Sequence, residues 1–309
     1  MTLAEKIMKE VAKVFVGKNE IIRKVMLAML AQGHVLLEDI PGVGKTTLAL
    51  ALSKAIHVEY RRIQFTPDVM PSDITGFSMY HKEQGEWNYQ RGAILCNLFL
   101  ADEINRASSR TQAALLEAME EGRVTVDGIT HDIPSPFMVI ATQNPAGSAG
   151  TQLLPESQVD RFMMCLSIGY PSAADEVDML RRKRGRDPMD SVEAVASAGD
   201  VISMRQDTEQ IYMHQEIDEY IVRLISATRE DSYIRLGASP RASVAVARLA
   251  QASAYLRGRD YVLPEDVREV FPDCVVHRLL LSPKAKVENR VPEDVVRAIL
   301  QSTPAPRVR

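Results

Sequence analysis

The run Pro41-Gly42-Val43-Gly44-Lys45-Thr46-Thr47, placed directly behind the apolar stretch Val35-Leu36-Leu37, constrains this chain more than any other feature. Gly42 and Gly44 allow a tight turn that points backbone N–H groups inward. Lys45 can reach the β- and γ-phosphates of a nucleotide, and the Thr46 hydroxyl can hold Mg²⁺. Leu48 to Ile56 then reads as a helix whose N-terminal dipole faces the anion. A strand, turn and helix of this kind imply an α/β sheet with its ligand edge at the carboxyl ends of the strands. The general pattern GxxxxGK[ST] is missed at its first glycine, where Asp39 stands. The plainer alternative is a glycine turn between a buried strand and a helix.

Two further strand ends point to the same chemistry. Leu95 to Ala101 is a short apolar run closed by Asp102-Glu103, an acidic pair suited to hold Mg²⁺ through Asp102 and to orient an attacking water through Glu103. Phe137 to Thr142 is a second such run, which delivers Gln143-Asn144-Pro145 to that edge. The Asn144 amide can donate to a γ-phosphate and accept from water, although Asn-Pro is also an ordinary turn initiator.

Composition excludes several classes. The 309 residues are 46% hydrophobic and 25% charged, enough for two domains with cores of their own. A net charge of −4 counts against a dominant nucleic-acid or anionic-membrane surface. Cys96, Cys165 and Cys274 are scattered, which gives no disulfide framework or zinc site and fits a reducing cytoplasm. The first 16 residues read as an amphipathic helix without a signal peptide's apolar core, and no segment is apolar enough for a membrane span. The single Trp87 reads as a packed residue of a hairpin, with a contact for a partner as the alternative.

Apolar runs at 35–38, 59–65, 95–101, 137–142 and 163–168 alternate with helical segments and predict a parallel sheet. A long insertion occupies 66–91. Residues 123–126 and 129–133 flank Asp127-Gly128 and predict a hairpin. The basic run 181–186 reads as an exposed connection; a nucleic-acid patch is the alternative, disfavoured by the lack of interleaved aromatics and the acidic chain. Helical patterns follow at 216–229, 239–257, 264–281 and 292–301, with Ser239 as an N-cap and proline opening several first turns. These segments divide the chain into a nucleotide-binding core over 1–185, a linker over 186–206 and an all-helical lid over 207–309.

The motifs together resemble the MoxR family of AAA+ ATPases over nearly the whole chain. They include Leu37 to Thr46, Leu100 to Ala107, Leu115 to Glu121, Ala141 to Pro145, Leu154 to Glu156, Val159 to Phe162 and Ser239 to Ala242. Asp39 is the residue that family usually carries there. The resemblance implies an α/β AAA+ P-loop core with a helical lid, ATP and Mg²⁺ as ligands, and hydrolysis by Glu103 with Asn144 as polar sensor. It makes Arg161 an arginine finger donated to a neighbouring copy and Arg241 a second sensor, places Val16 and Gly17 near the base, and directs the insertion toward a ring pore. It also implies a homo-oligomeric ring, a hexamer, that remodels or matures a client protein. A von Willebrand factor A domain partner and metal-cofactor insertion are further implications. A nucleic-acid motor or loader and a slowly hydrolysing regulatory switch are the alternatives from other classes.

Overall fold

Short leucine- and β-branched runs pair as strands, and capped amphipathic stretches coil as helices, in the computed structural model, which describes residues 1–40, 42–82, 85–143, 154–182, 185 and 187–307. Along the chain these are α1 (Leu3–Ala12), α2 (Asn19–Leu30), β1 (Val35–Glu38), α3 (Lys45–Ala55), β2 (Tyr60–Gln64), α4 (Pro71–Thr75), β3 (Gly76–His81) and β4 (Glu86–Arg91). There follow β5 (Leu98–Asp102), α5 (Ser109–Glu121), β6 (Arg123–Val126), β7 (Ile129–Asp132), β8 (Met138–Gln143), α6 (Glu156–Val159), β9 (Met164–Leu166) and α7 (Ala173–Arg182). The last third holds α8 (Ala198–Glu209), α9 (Gln215–Glu230), β10 (Ile234–Leu236), α10 (Pro240–Leu256), α11 (Pro264–Val275), β11 (Leu280–Leu281), α12 (Pro283–Val287) and α13 (Pro292–Ser302).

The chain forms two compact units. The first comprises residues 1–23, 34–154 and 167–202; the second comprises 24–33, 155–166 and 203–309. This division departs from the expected core, linker and lid. Much of the expected linker folds within the first unit, where the Val195 and Ala196 amides donate to the Ala55 carbonyl and the Glu193 amide to the Glu10 carboxylate.

In the first unit β2, β5, β8 and β1 lie side by side in that order, every pair parallel. All six residues of β8 are buried, as in parallel strands covered on both faces. The register brings Gln64 opposite Asp102 and Glu38 opposite Gln143, so the functional strand ends share one edge. β5 starts at Leu98 rather than Leu95, because the Asn97 and Leu98 amides are taken up by the Glu59 carbonyl before the ladder begins. α1 is closed by a capping box between Thr2 and Glu5 and packs on α3.

The insertion contains α4 and the antiparallel hairpin β3–β4; β6–β7 forms the second hairpin, turned at Asp127 and Gly128 with φ of 50° and 80°. Tyr89 of β4 stacks on His131 of β7 at 3.7 Å between ring centroids. Trp87, expected to pack, is 70% exposed, and its one ring contact among the described residues is a tilted one with Tyr80 at 5.4 Å between centroids. Of the basic run, Arg181 and Arg182 are exposed as expected and close α7, and Arg182 donates to the Lys13 carbonyl and pairs with Asp178. Lys183, Arg184 and Arg186 lie outside the described residues.

The second unit buries Ile217, Tyr220, Leu224, Leu249, Val267, Phe271 and Val295 from α9, α10, α11 and α13. The unit is helical as expected, with one short antiparallel pair, β10–β11, added to its helices. The helix expected over 264–281 stops at Val275 and tightens through 276–278, where His277 and Arg278 turn inward to backbone carbonyls. α11 and α13 begin on Pro-Glu-Asp as expected. In α11, Asp266 does more than complement the dipole: fully buried, it accepts from Arg257, Arg259 and Ser253. No helix among the described residues is long and apolar enough to cross a membrane.

Candidate nucleotide site

The loop behind β1 is held open by backbone conformations that glycine adopts without strain. Gly42 and Gly44 have φ of 88° and 94°, and a Cβ on Gly44 would lie 3.1 Å from the Phe15 ring. A Cβ on Gly42 would meet nothing within 4 Å, so that side of the loop is open. α3 starts at Lys45, three residues earlier than expected, with the Leu48 amide donating to the Gly44 carbonyl.

Asp39, in the place of the usual glycine, anchors this loop. Its Oδ2 accepts from the Ile168 and Gly169 amides at 2.5 and 2.7 Å and from the Ser167 hydroxyl at 3.2 Å, while Oδ1 accepts from the Ile40 amide. Its carbonyl accepts from Lys45 Nζ at 2.6 Å. Burial pushes the Lys45 ammonium below its ordinary range, and Asp39, Asp102 and Glu103 oppose that shift.

At the end of β5, Asp102 and Glu103 share Thr142 of β8. The Thr142 hydroxyl donates to Asp102 Oδ1 at 2.6 Å and accepts from the Glu103 amide at 2.8 Å. Glu103 takes φ 57°, a turn that redirects the chain into the short helical stretch 104–106. Arg62 of β2 donates to Asp102 Oδ2 at 2.7 Å, and Arg106 pairs with Glu103 Oε2 at 2.7 Å. A cavity of about 320 Å³ is lined by Gly42, Gly44, Lys45, Thr46, Thr47, Arg62, Asp102 and Glu103. Its donors suit Mg²⁺: the Thr46 hydroxyl and the Asp102 carboxylate are hard oxygen ligands, and the open Gly42 side leaves room for phosphate.

A second cavity of about 320 Å³ shares Gly42, Gly44, Thr46 and Thr47 and continues along Val14, Val16, Leu50, Met179, Pro188 and Met189. Val16 therefore faces a mostly apolar space joined to the loop. Gly17 follows with φ 73°, where a Cβ would collide with the Asp175 carboxylate at 2.3 Å. Val43 is part of the loop but lines neither cavity. Pro41 and Asn144 lie outside the described residues. Arg161 and Arg241 belong to the second unit: Arg161 is half-buried in the turn after α6, and Arg241 is exposed in the first turn of α10. Ser239 occupies the N-cap position of α10, but its hydroxyl donates to Asp160 instead of capping the helix.

Sequence reasoning missed Arg62, Thr142 as a bridge, and the apolar wall of Val14, Leu50, Met179 and Met189. Arg62 carried at most a faint signal, as a charged residue in the middle of a short strand, and only the pairing of β2 with β5 brings it to Asp102. The wall carried none, because three segments distant in sequence build it.

The model of the ATPase family associated with various cellular activities matches residues 34–164, and the AAA lid domain matches 226–299. The uncharacterized protein YeaC of Bacillus subtilis is 46% identical over 98% of this chain and 95% of its own length. Chaperone MoxR1 of Mycobacterium tuberculosis is 38% identical over 98% of this chain and 82% of its own length. A crystal structure described as an ATPase from Cytophaga hutchinsonii superposes with a TM-score of 0.91 at 36% identity, covering 99% of this chain and 95% of that one. On this similarity and on the loop, strand ends and cavity described above, the chain belongs to the MoxR family of AAA+ ATPases.

Proposed function

We propose that this protein binds ATP with Mg²⁺, hydrolyses it, and uses the cycle for chaperone-like remodelling or maturation of a client protein. The observation that carries the reading is the single cavity in which the Gly42–Thr47 loop faces Asp102 and Glu103. Lys45 exchanges its bond to the Asp39 carbonyl for phosphate oxygens, and Thr46 and Asp102 hold the metal. The ion, when bound, neutralises charge on the phosphates. Glu103 orients the attacking water once Arg106 releases it, and Asn144 reports on the γ-phosphate. Val16 and Gly17 flank the base, whose apolar faces suit the Val14, Leu50 and Met179 wall.

Arg161 acts as a finger in the site of a neighbouring copy and Arg241 as a second sensor, which requires a ring, a hexamer by family resemblance. The similarity to a chaperone supports the client reading. A von Willebrand factor A domain partner and insertion of a metal into the client are its finer form. The acidic net charge disfavours nucleic acid as the substrate. One observation favours a regulatory switch as the second reading: Arg62 and Arg106 hold both acidic residues, so turnover waits on their release.

Two variants test the reading. Lys45→Ala should lose ATP affinity in calorimetry; unchanged affinity would move the site elsewhere. Glu103→Gln should bind ATP, turn over very slowly and retain client on affinity capture, because an amide hydrogen-bonds without polarising water as a carboxylate does. Turnover equal to the unaltered protein would remove Glu103 from its role.

A further inference from the structure

The two residues that flank Arg161 are both held by the tightened turn at the end of α11. Arg278 donates through Nε to Asp160 Oδ1 at 2.9 Å, and through Nη2 to the Asp160 and Phe162 carbonyls at 3.0 and 2.8 Å. Its Nη1 donates to the Cys274 carbonyl at 2.5 Å. His277 adds an Nε2 bond to the Phe162 carbonyl at 3.1 Å. The Ser239 hydroxyl reaches both Asp160 oxygens at 3.0 Å. The Arg278 side chain is 3% exposed. A buried ion pair is a weak source of stability compared with apolar packing. What this one supplies is geometry: a planar fork of fixed donors spans acceptors on both sides of residue 161, which a lysine's point charge cannot do.

We propose that Arg278 is a positioning residue for hydrolysis: its guanidinium fixes the Asp160–Phe162 turn and so aims Arg161 at the phosphates in a neighbouring copy. This rests on the finger reading above and adds the residue that sets the finger's direction. Arg278 touches no nucleotide; its effect passes through Arg161 to the next copy's site.

The test is a set of mixtures. Arg278→Gln alone should lower turnover by roughly 10²-fold, the scale of a misplaced catalytic group, with ATP affinity unchanged. Mixed with Lys45→Ala, it should regain activity, since the Lys45→Ala copy donates a correctly aimed Arg161 to an intact Lys45 site. Mixed with Arg161→Ala, it should stay inactive, because neither copy supplies an aimed finger. A purely structural defect in the variant's own site would give the opposite polarity and overturn the proposal. Arg278→Lys, which keeps the charge and loses the fork, should show the same polarity; it carries the test if Arg278→Gln melts early. If neither variant folds, Arg278 is a folding residue and the proposal falls. Lys45→Ala mixed with Arg161→Ala is the control. Should that pair fail while co-assembled, the shared-site reading falls and the positioning claim with it; should it succeed while the Arg278 mixtures reverse, only the positioning claim is lost.

Discussion

Asp39 and Asp160 hold two cationic residues in place by different chemistry. Asp39 precedes the Lys45 loop in the first unit and gathers neutral donors: two amides of the 168–169 segment, the Ser167 hydroxyl and the Ile40 amide. Asp160 precedes Arg161 in the second unit and gathers a buried guanidinium and the Ser239 hydroxyl. The neutral donors around Asp39 can be partly satisfied by any oxygen acceptor of the same shape, and the buried Lys45 ammonium, whose charge Asp39 also supports, keeps Asp102 and Glu103 beside it. Arg278 cannot discharge, so the loss of Asp160 leaves a buried charge behind. A carboxylate that collects amides tolerates isosteric replacement; one that neutralises a buried cation does not.

The largest effect should therefore follow Asp160→Ala. Removing one partner of a buried pair costs roughly 3–5 kcal/mol, to be read as a lowered midpoint of urea unfolding for the second unit. A loss below about 1 kcal/mol would mean that water reaches Arg278, and the contrast with Asp39 would disappear.

Asp39→Asn should cost less, on the order of 2 kcal/mol, because the charge-assisted bonds weaken while one oxygen still accepts. Its signature should be functional as well: a loosened loop raises the KM for ATP more than it lowers kcat. A loss equal to that of Asp160→Ala would show that charge, and not the presence of an acceptor, governs both sites.

The asymmetry also marks how far sequence could be read. The Gly42–Thr47 loop and the Asp102-Glu103 pair, which line one cavity, were legible because each motif gathers its distinctive residue types at short spacing behind a single apolar run. The sheet followed from apolar runs whose period needs no partner to recognise. Arg278 gave no signal, since its Asp160 and Phe162 partners lie more than a hundred positions away and a basic residue near a helix end reads as dipole complement. Trp87 misled for the opposite reason: aromatic residues in hairpins usually pack, and only the register of β3 with β4 reveals that this one faces outward. Ser239 misled because tertiary demand from Asp160 took the hydroxyl that local chemistry would spend on a cap.

Acid should act on the Asp160 side of the comparison. Burial, with the Arg278 charge beside it, pushes His277 from 6.5 down to about 3. The unfolded chain then binds this proton where the folded one does not. The stability from a neutral His277 is fully present above pH 6.5 and declines as the pH falls toward about 3. The slope is about 1.4 kcal/mol per pH unit. Unfolding midpoints at pH 7.0 and 5.5 should differ accordingly, and His277→Asn should flatten the difference. An unchanged slope in that variant would assign the acid sensitivity to other groups.

The smallest effect calibrates the rest. Trp87 is exposed on β4, whereas Tyr89, two residues on, stacks against His131 and donates its hydroxyl to the Thr75 carbonyl. Trp87→Ala should change stability by no more than about 0.5 kcal/mol, as surface substitutions usually do. Tyr89→Ala forfeits the ring stack, itself on the scale of about 1 kcal/mol. Basal ATP turnover should be unchanged in Trp87→Ala, since this side chain anchors neither Lys45 nor Arg161. The variant thus shows whether losses at Asp39 and Asp160 report anchoring or a general fragility. A drop above 1 kcal/mol at Trp87 would mean that the first unit loosens wherever it is touched, and the milder loss expected at Asp39 could no longer be credited to its neutral donors.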